Sequence, residues 1–434
     1  MKYPGLIGVD ISDSSVKVLQ LDHECNVVAF GEGKFPKGVV IEGSIANIEA
    51  FSATLNDVLL HTQPNILREE NMVLRAVVGL PESKIFTHYI EVPTTTSTKN
   101  LDTFVEDDAQ KIIPFELDQL YWDYHVVEKK GARTVTFVGV LKADLANYVE
   151  ALTVARVKPA LITGELFSLG NALLPVGNLE ENHLIIDMGA RSSTIGVFCD
   201  DATASASIKV PFGGEYLTQE LSVKLSVTLD EAENLKQTIG LDSESMNKQV
   251  PKILEECMTE FISKIKEART FYEEKTRKSI THVILAGGSA LLPKIDTYIQ
   301  EQIGVDVRIA DPLQKIKNHS AIGKNSPSIF FTNVIGLAMS GLNPDKSRLN
   351  LLTQYRHDTN STSKEEITLR DIRSFNDAYS MISAFMRSML SYITPFTRYA
   401  RKVRQRNVRL IATIAVIVGA VLFLIWTILT YTTL

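Results

Sequence analysis

Two short stretches carry the same chemistry. Leu6-Ile-Gly8-Val-Asp10-Ile-Ser12-Asp13-Ser14-Ser-Val-Lys17 and His183-Leu-Ile-Ile-Asp187-Met-Gly189-Ala-Arg-Ser-Ser193-Thr194-Ile each end a hydrophobic run in an aspartate. A turn of small and hydroxylated residues follows, then alternating apolar residues. Each reads as strand, tight turn, strand. Taken singly, either is a hairpin with Asp and Ser as turn formers. As a pair they imply two related half-domains whose turns close on one phosphate group from both sides. Small residues let successive N–H groups approach phosphate oxygens as an anion-binding nest. The hydroxyls of Ser12, Ser14 and either Ser193 or Thr194 add donors, with the second turn ambiguous by one residue. Asp10 and Asp187 would repel phosphate directly, so they make sense around a Mg2+ that keeps several of its waters. Lys17 adds a charge-assisted contact.

A third stretch, Thr281-His-Val-Ile-Leu-Ala-Gly287-Gly288-Ser289, predicts a buried strand running into a glycine turn and then a helix. Glycines there admit a flat or anionic ligand, and a helix N-terminus favours negative charge. In this order the three stretches resemble the phosphate and adenosine motifs of the actin-like ATPase superfamily, which implies a two-lobed, ribonuclease H-like α/β fold. The resemblance narrows to the FtsA/PilM branch. Pro211-Phe-Gly213-Gly214-Glu-Tyr-Leu217-Thr218 is similar to its Gly-Gly-x-x-Leu-Thr segment. Ala232-Glu233-Asn-Leu-Lys236 is similar to the helix whose Glu and Lys approach the nucleoside. Val78-Gly-Leu-Pro81-Glu-Ser-Lys-Ile-Phe86 and Ile112-Ile-Pro114-Phe115-Glu-Leu-Asp-Gln-Leu-Tyr-Trp-Asp123-Tyr124 resemble the PilM family of type IV pilus assembly. The similarity covers residues 1–345.

This resemblance implies ATP with Mg2+ between the lobes. Asp10 and Asp187 would stand near the metal, with Asp187 the candidate for water activation. Ser12, Ser14, Lys17, Gly189, Ser193, Thr194, Gly213 and Gly214 would surround the phosphates. Glu233, Lys236, Gly287, Gly288 and Ser289 would surround the nucleoside. Two departures stand out: Ser12 where the family has Gly, and Asp13 where it often has Ser. The implied partners are PilN- and PilO-like inner-membrane proteins, with the assembly ATPase and platform protein beyond them.

With 434 residues and a net charge of −6, the chain has no global attraction to nucleic acid. Cys25, Cys199 and Cys257 form no metal or disulfide pattern, which fits a reducing compartment. Met1-Lys-Tyr-Pro leads straight into a strand, so the body is expected to be cytoplasmic. At the other end, Leu410–Leu434 has no charged residue and is long enough to cross a bilayer. Arg398, Arg401, Lys402, Arg404, Arg406 and Arg409 precede it and place that flank on the cytoplasmic side. The expectation is a single-pass inner-membrane protein anchored at its C-terminal end.

The predicted organisation is a first lobe over 1–86, an inserted subdomain over 87–165 and a second lobe over 166–345. A motif and polar linker follow at 346–365, an amphipathic and basic juxtamembrane segment at 366–407, and a membrane helix at 408–431. The apolar period of Leu254, Met258, Phe261, Ile265, Ala268 and Tyr272 predicts a long core helix over 251–275. Leu349-Asn350-Leu351-Leu352 resembles the Ile-Asn-Leu-Leu-Pro motif of PilN, with Thr353 in place of Pro. This suggests a PilN-like tail docked on its own actin-like body. Other classes share the core: an FtsA-like division tether, a sugar kinase and a scaffold that has lost nucleotide.

Overall fold

The computed structural model describes residues 5–362, apart from 64–65, 67–71, 130–131, 176–180, 200–202, 321, 323–325 and 345–348. The chain divides into units Met1–Thr359 and Asn360–Leu434, the second described only at its start. It begins with β1 (Ile7–Ile11), β2 (Ser15–Leu21), β3 (Val27–Lys34), a ribbon of β4 (Val40–Ile41) and β5 (Ser44–Ile45), α1 (Ile48–Leu60) and β6 (Leu74–Leu80). Next come β7 (Ile85–Val92), α2 (Leu101–Ile112), β8 (Leu120–Lys129) and β9 (Ala132–Leu141), then α3 (Lys142–Val154), β10 (Val157–Gly164) and α4 (Glu165–Leu173). The later half holds β11 (Asn182–Met188), β12 (Ser193–Cys199), β13 (Thr203–Val210), α5 (Gly214–Leu225), α6 (Leu229–Thr238) and α7 (Gln249–Thr276). It ends with β14 (Ile280–Ala286), α8 (Ile295–Ile303), β15 (Asp306–Ile309), α9 (Thr332–Ser340) and α10 (Leu352–Thr362).

Two five-stranded sheets repeat one topology. The first runs β10-β6-β1-β2-β3 and the second β15-β14-β11-β12-β13. In each, the strand ending in the aspartate pairs antiparallel with the next strand and parallel with a later one. The similarity of the two Asp stretches is therefore a similarity of sheet position. β1 and β12 are buried along their whole length, as strands covered on both faces must be.

The halves meet through two helices. α9 lies on the first sheet, where Gly8 lets its backbone approach: a Cβ there would stand 2.6 Å from Ala338 N. α4 reaches the second sheet, with Leu166 against Gly196. The helices cross at Gly336, where an added Cβ would lie 1.9 Å from the Ser168 carbonyl oxygen. No side chain fits there without moving backbone. The Ser168 hydroxyl binds the Glu165 carbonyl at 2.6 Å and Asn333 Oδ1 at 3.0 Å across the same crossing.

β7, β9 and β8 form a separate three-stranded sheet under α2, with a core of its own around Val105, Leu120, Val135 and Phe137. This inserted piece is shorter than the 87–165 expected, because β10 pairs in parallel with β6 and belongs to the first sheet. The long helix is α7, and its six periodic apolar residues are all buried.

Two expectations change. The turn after β14 leads into a single 3₁₀ turn, Gly288–Leu291, and α8 begins only at Ile295 after Pro293, so no α-helix N-terminus meets a ligand at the glycines. Residues 354–362, expected as linker, continue α10, because contacts described below hold its first turn. The amphipathic segment and the membrane span lie outside the described residues. Among the described residues, no helix is long and apolar enough to cross a membrane.

Gly336→Val should lower unfolding free energy by on the order of 1–3 kcal/mol, the usual range for overpacking a tight contact. Urea denaturation reads this directly. An unchanged midpoint would mean the crossing is looser than its geometry states.

Candidate nucleotide cleft and tail seam

Five parallel strands, β1, β6, β10, β11 and β14, end at or close to one cleft of about 1540 Å³. Asp10 and Asp187 lie at or near the ends of β1 and β11. Glu82 follows β6, Glu165 follows β10, and Gly287 to Ser289 follow β14. Open α/β sheets place ligands outside the carboxyl ends of their strands, and here two sheets share one such space.

Asp10 pairs in register with Lys17 across its hairpin, and Asp187 with Thr194 across the other. Paired residues of an antiparallel ladder point to the same face, and neighbours point to opposite faces. Lys17 Nζ accordingly sits 3.4 Å from Asp10 Oδ2. Thr194 lines the cleft beside Asp187. Ser193 faces the other way, and its hydroxyl binds the Phe212 carbonyl at 2.7 Å. Of the two candidate hydroxyls in the second turn, Thr194 lines the cleft and Ser193 does not.

The turns are tightly built. Ser12 closes the first: its hydroxyl accepts from Ser15 N–H at 3.1 Å and its own N–H binds the Ser15 carbonyl. In the second, Gly189 N–H binds the Ser192 carbonyl, while its carbonyl accepts from Gly214 N–H at 3.1 Å and the Ser289 hydroxyl at 2.8 Å. Gly213 does not line the cleft. It packs on this turn, where a Cβ would lie 2.4 Å from the Ala190 carbonyl oxygen. Gly287 has φ +79°, and a Cβ there would strike Asp187 Oδ1 at 2.4 Å, so only glycine brings the third turn against the second aspartate. Lys236 binds Glu233 at 2.7 Å, Thr218 at 2.8 Å and the Gly214 carbonyl at 3.0 Å. Ser14, Gly288, Glu233 and Lys236 complete the cleft wall.

The sequence pattern assigned no role to Glu82, Glu165, Lys209 and Arg191, which line the cleft together with Asp13, noted there only as a departure. The signal for the first two is position: each is the acid that follows a buried strand. Burial pushes the Glu82 carboxyl up to about 7, with the Asp187 charge adding to it and the Leu166 N–H opposing it. Burial, then the charge of Asp10, pushes Asp187 up to about 6 against the pull of Lys17. Glu165 is raised well above the carboxylate range by burial and by Asp10, Asp187 and Glu82. The cleft floor is thus a cluster of carboxyls short of positive charge.

A second assembly lies at a seam between two sheet edges, β10 and β8. Leu349, Leu351 and Leu352 are buried in the main core. Leu351 N–H binds the Ile162 carbonyl at 3.0 Å, and Asn350 Oδ1 accepts from Ile162 N–H at 3.3 Å and Leu352 N–H at 3.1 Å. Asn350 N–H binds Asp123 Oδ2 at 2.7 Å, and Trp122 N–H binds Gln354 Oε1 at 3.1 Å. Arg356 reaches the Pro159 and Ala160 carbonyls. Backbone groups that an edge strand would leave unpaired are thereby covered.

The model of the family "Type IV pilus assembly protein PilM" matches residues 8–342. The chain belongs to this PilM family. It is also similar to the cell division protein FtsA of Bacillus subtilis (strain 168), 24% identical over 70% of this chain and 78% of that protein. FtsA of Streptococcus pneumoniae serotype 2 is 25% identical over 80% and 82%. A solved PilM-PilN type IV pilus biogenesis complex superposes with a TM-score of 0.63 at 19% identity, covering 79% of this chain and 99% of that one. MreB 5 of Spiroplasma citri bound to AMPPNP superposes with a TM-score of 0.50 at 12% identity, over 80% and 98%. The fold of this PilM-family chain is accordingly the actin-like one.

Two outcomes test this geometry. A carboxyl with a higher pKa folded than unfolded contributes most below its unfolded value and loses that contribution as pH rises through the folded value. Without nucleotide, stability should fall as pH rises from about 4.5 to about 7 through Glu82, and Glu82→Gln should flatten that fall in urea titrations across the range. The same slope in both proteins would place Glu82 in water. At the seam, the double change Leu351→Asp, Leu352→Asp should expose 353–362 to protease, and unchanged cleavage would count against the docking.

Proposed function

We propose that this PilM-family chain is a membrane-anchored, actin-like ATP-binding protein of type IV pilus or related type II secretion assembly. In this reading it passes its nucleotide state to inner-membrane partners. The observation that carries it is the convergence of two aspartate turns and a glycine turn on one cleft. Glycine and hydroxyl turns suit phosphate, and Glu233 and Lys236 stand beside the Gly287 to Ser289 turn where a nucleoside would lie.

The acids on the cleft floor fit a divalent cation. Asp10 raises Asp187 through its charge, and a cation between them would relieve that repulsion. Among the described residues, no cluster of three or more metal-ligating side chains forms a cage. Mg2+ would therefore be held by Asp10, Asp187, waters and the phosphates together, as this ion commonly is. Bound there, it would neutralise phosphate charge. Asp187 is the residue we assign to any water-activating step.

The tail seam supplies the partner side. The solved relative of highest TM-score among those above is a complex of PilM with PilN. We read Leu349 to Leu352 as this chain's own PilN-like motif, docked in cis and leading toward the apolar segment Leu410–Leu434 that we assign to the membrane. PilN- and PilO-like proteins, the assembly ATPase and the platform protein remain its proposed partners. Coupling requires that they distinguish the nucleotide-bound from the nucleotide-free conformation energetically. The FtsA relatives support a second reading, a division-type tether, which filaments on lipid vesicles would favour.

Calorimetry of the full-length chain in detergent with ATP and Mg2+ tests the cleft. Binding that Asp187→Ala weakens at least tenfold is expected, since that change removes a carboxylate from the proposed metal site. A well-folded chain that takes up no ATP would leave the actin-like frame as a scaffold.

A further inference from the structure

Asp13, the residue that departs from the family turn, has three partners. Its carboxylate accepts from Gly43 N–H at 2.9 Å and Glu42 N–H at 3.2 Å, both at the tip of the β4–β5 ribbon. It also forms an ion pair with Arg191. Asp13 belongs to the turn after β1 and Arg191 to the turn after β11, so the pair crosses the cleft from one aspartate turn to the other. The ribbon holds the acid in place through two main-chain donors. Among the described residues the arginine has no comparable frame, and its side chain remains 49% exposed.

Two other cations of the cleft are placed differently. Lys17 is half-buried against Asp10, and Lys236 is fixed by Glu233, Thr218 and the Gly214 carbonyl. Moving either uncovers an acid or a carbonyl away from water. An exposed ion pair contributes little by itself, so Arg191 can leave Asp13 at small cost. Its planar fork matches the oxygens of a phosphate group, which a lysine meets only as a point charge. It also projects from the same turn that presents Gly189 and Thr194 to the cleft.

We propose that Arg191 is a phosphate-contacting residue of this cleft, and that Asp13 holds it across the cleft until a phosphate competes for it. The proposal rests on the reading of the cleft as an ATP site. It turns the Asp13 departure from an obstacle into a specificity device. A ligand must offer enough negative charge at this point to displace a fixed carboxylate, so a triphosphate succeeds where a nucleoside does not.

The test is calorimetry of the full-length chain in detergent with ATP plus Mg2+ and, separately, with adenosine. Four variants are compared: Arg191→Ala, Arg191→Lys, Asp13→Ser, and Asp13→Ser with Arg191→Ala. Arg191→Ala should weaken ATP by about tenfold or more, the scale of one charge-assisted hydrogen bond, and leave adenosine unchanged. Arg191→Lys should recover part of the loss. Asp13→Ser should tighten ATP several-fold, as expected for removing a competing ion pair, and should have no effect once Arg191 is gone. The proposal is overturned if Arg191→Ala leaves ATP unchanged, weakens adenosine equally, or leaves the Asp13→Ser effect intact. In those cases ATP still binds and the cleft reading stands. A wild-type chain that binds neither ligand removes the cleft reading and this proposal together.

Discussion

Among the described glycines, the tightest approach is at the crossing of α4 and α9, at Gly336. One helix rests on the first sheet and the other reaches the second, so this contact ties together two sheets of equal topology. The cleft follows from it. Strand ends that are separate in sequence open into a common space, and α4 begins at that space with Glu165. Close-packed interiors transmit displacement, so a shift of one sheet against the other would be felt at this crossing.

Charge is the second organising feature. The cleft floor gathers Asp10, Glu82, Glu165 and Asp187, and burial together with mutual repulsion raises three of them. Such an arrangement lowers stability near neutral pH, and the proposed cation would relieve it. Proteins retain strain of this kind where a ligand offsets it. The same strand that delivers Glu165 to the cleft, β10, is gripped on its outer edge by Asn350, Leu351 and Arg356. One strand therefore touches the cleft at its end and the tail along its side.

Much of the fold was legible because its signals are local. Buried strands ending in Asp10, Asp187 and Gly287 could be placed from hydrophobic runs, and α7 from its apolar period. The two-residue period of a strand puts Ser193 and Thr194 on opposite faces, but only the register of the hairpin puts Thr194 on the face of Asp187. The polar stretch after Leu352 was misleading. Its composition reads as linker, yet Gln354 and Arg356 spend their polarity on the backbone of β8 and β10.

What the sequence by itself determined is the set of strand-turn units and the residue types at their ends, because periodicity and turn chemistry act over a few residues. The tertiary structure alone decided which ends meet. Glu165 carries no motif and Glu82 lies in one that assigned it no role, and they become cleft residues only because β6 and β10 pair in parallel beside β1. Asp13 and Arg191 stand far apart in the chain, and they become a pair only because two sheets are held face to face. Such contacts depend on packing between distant elements, which no local pattern encodes.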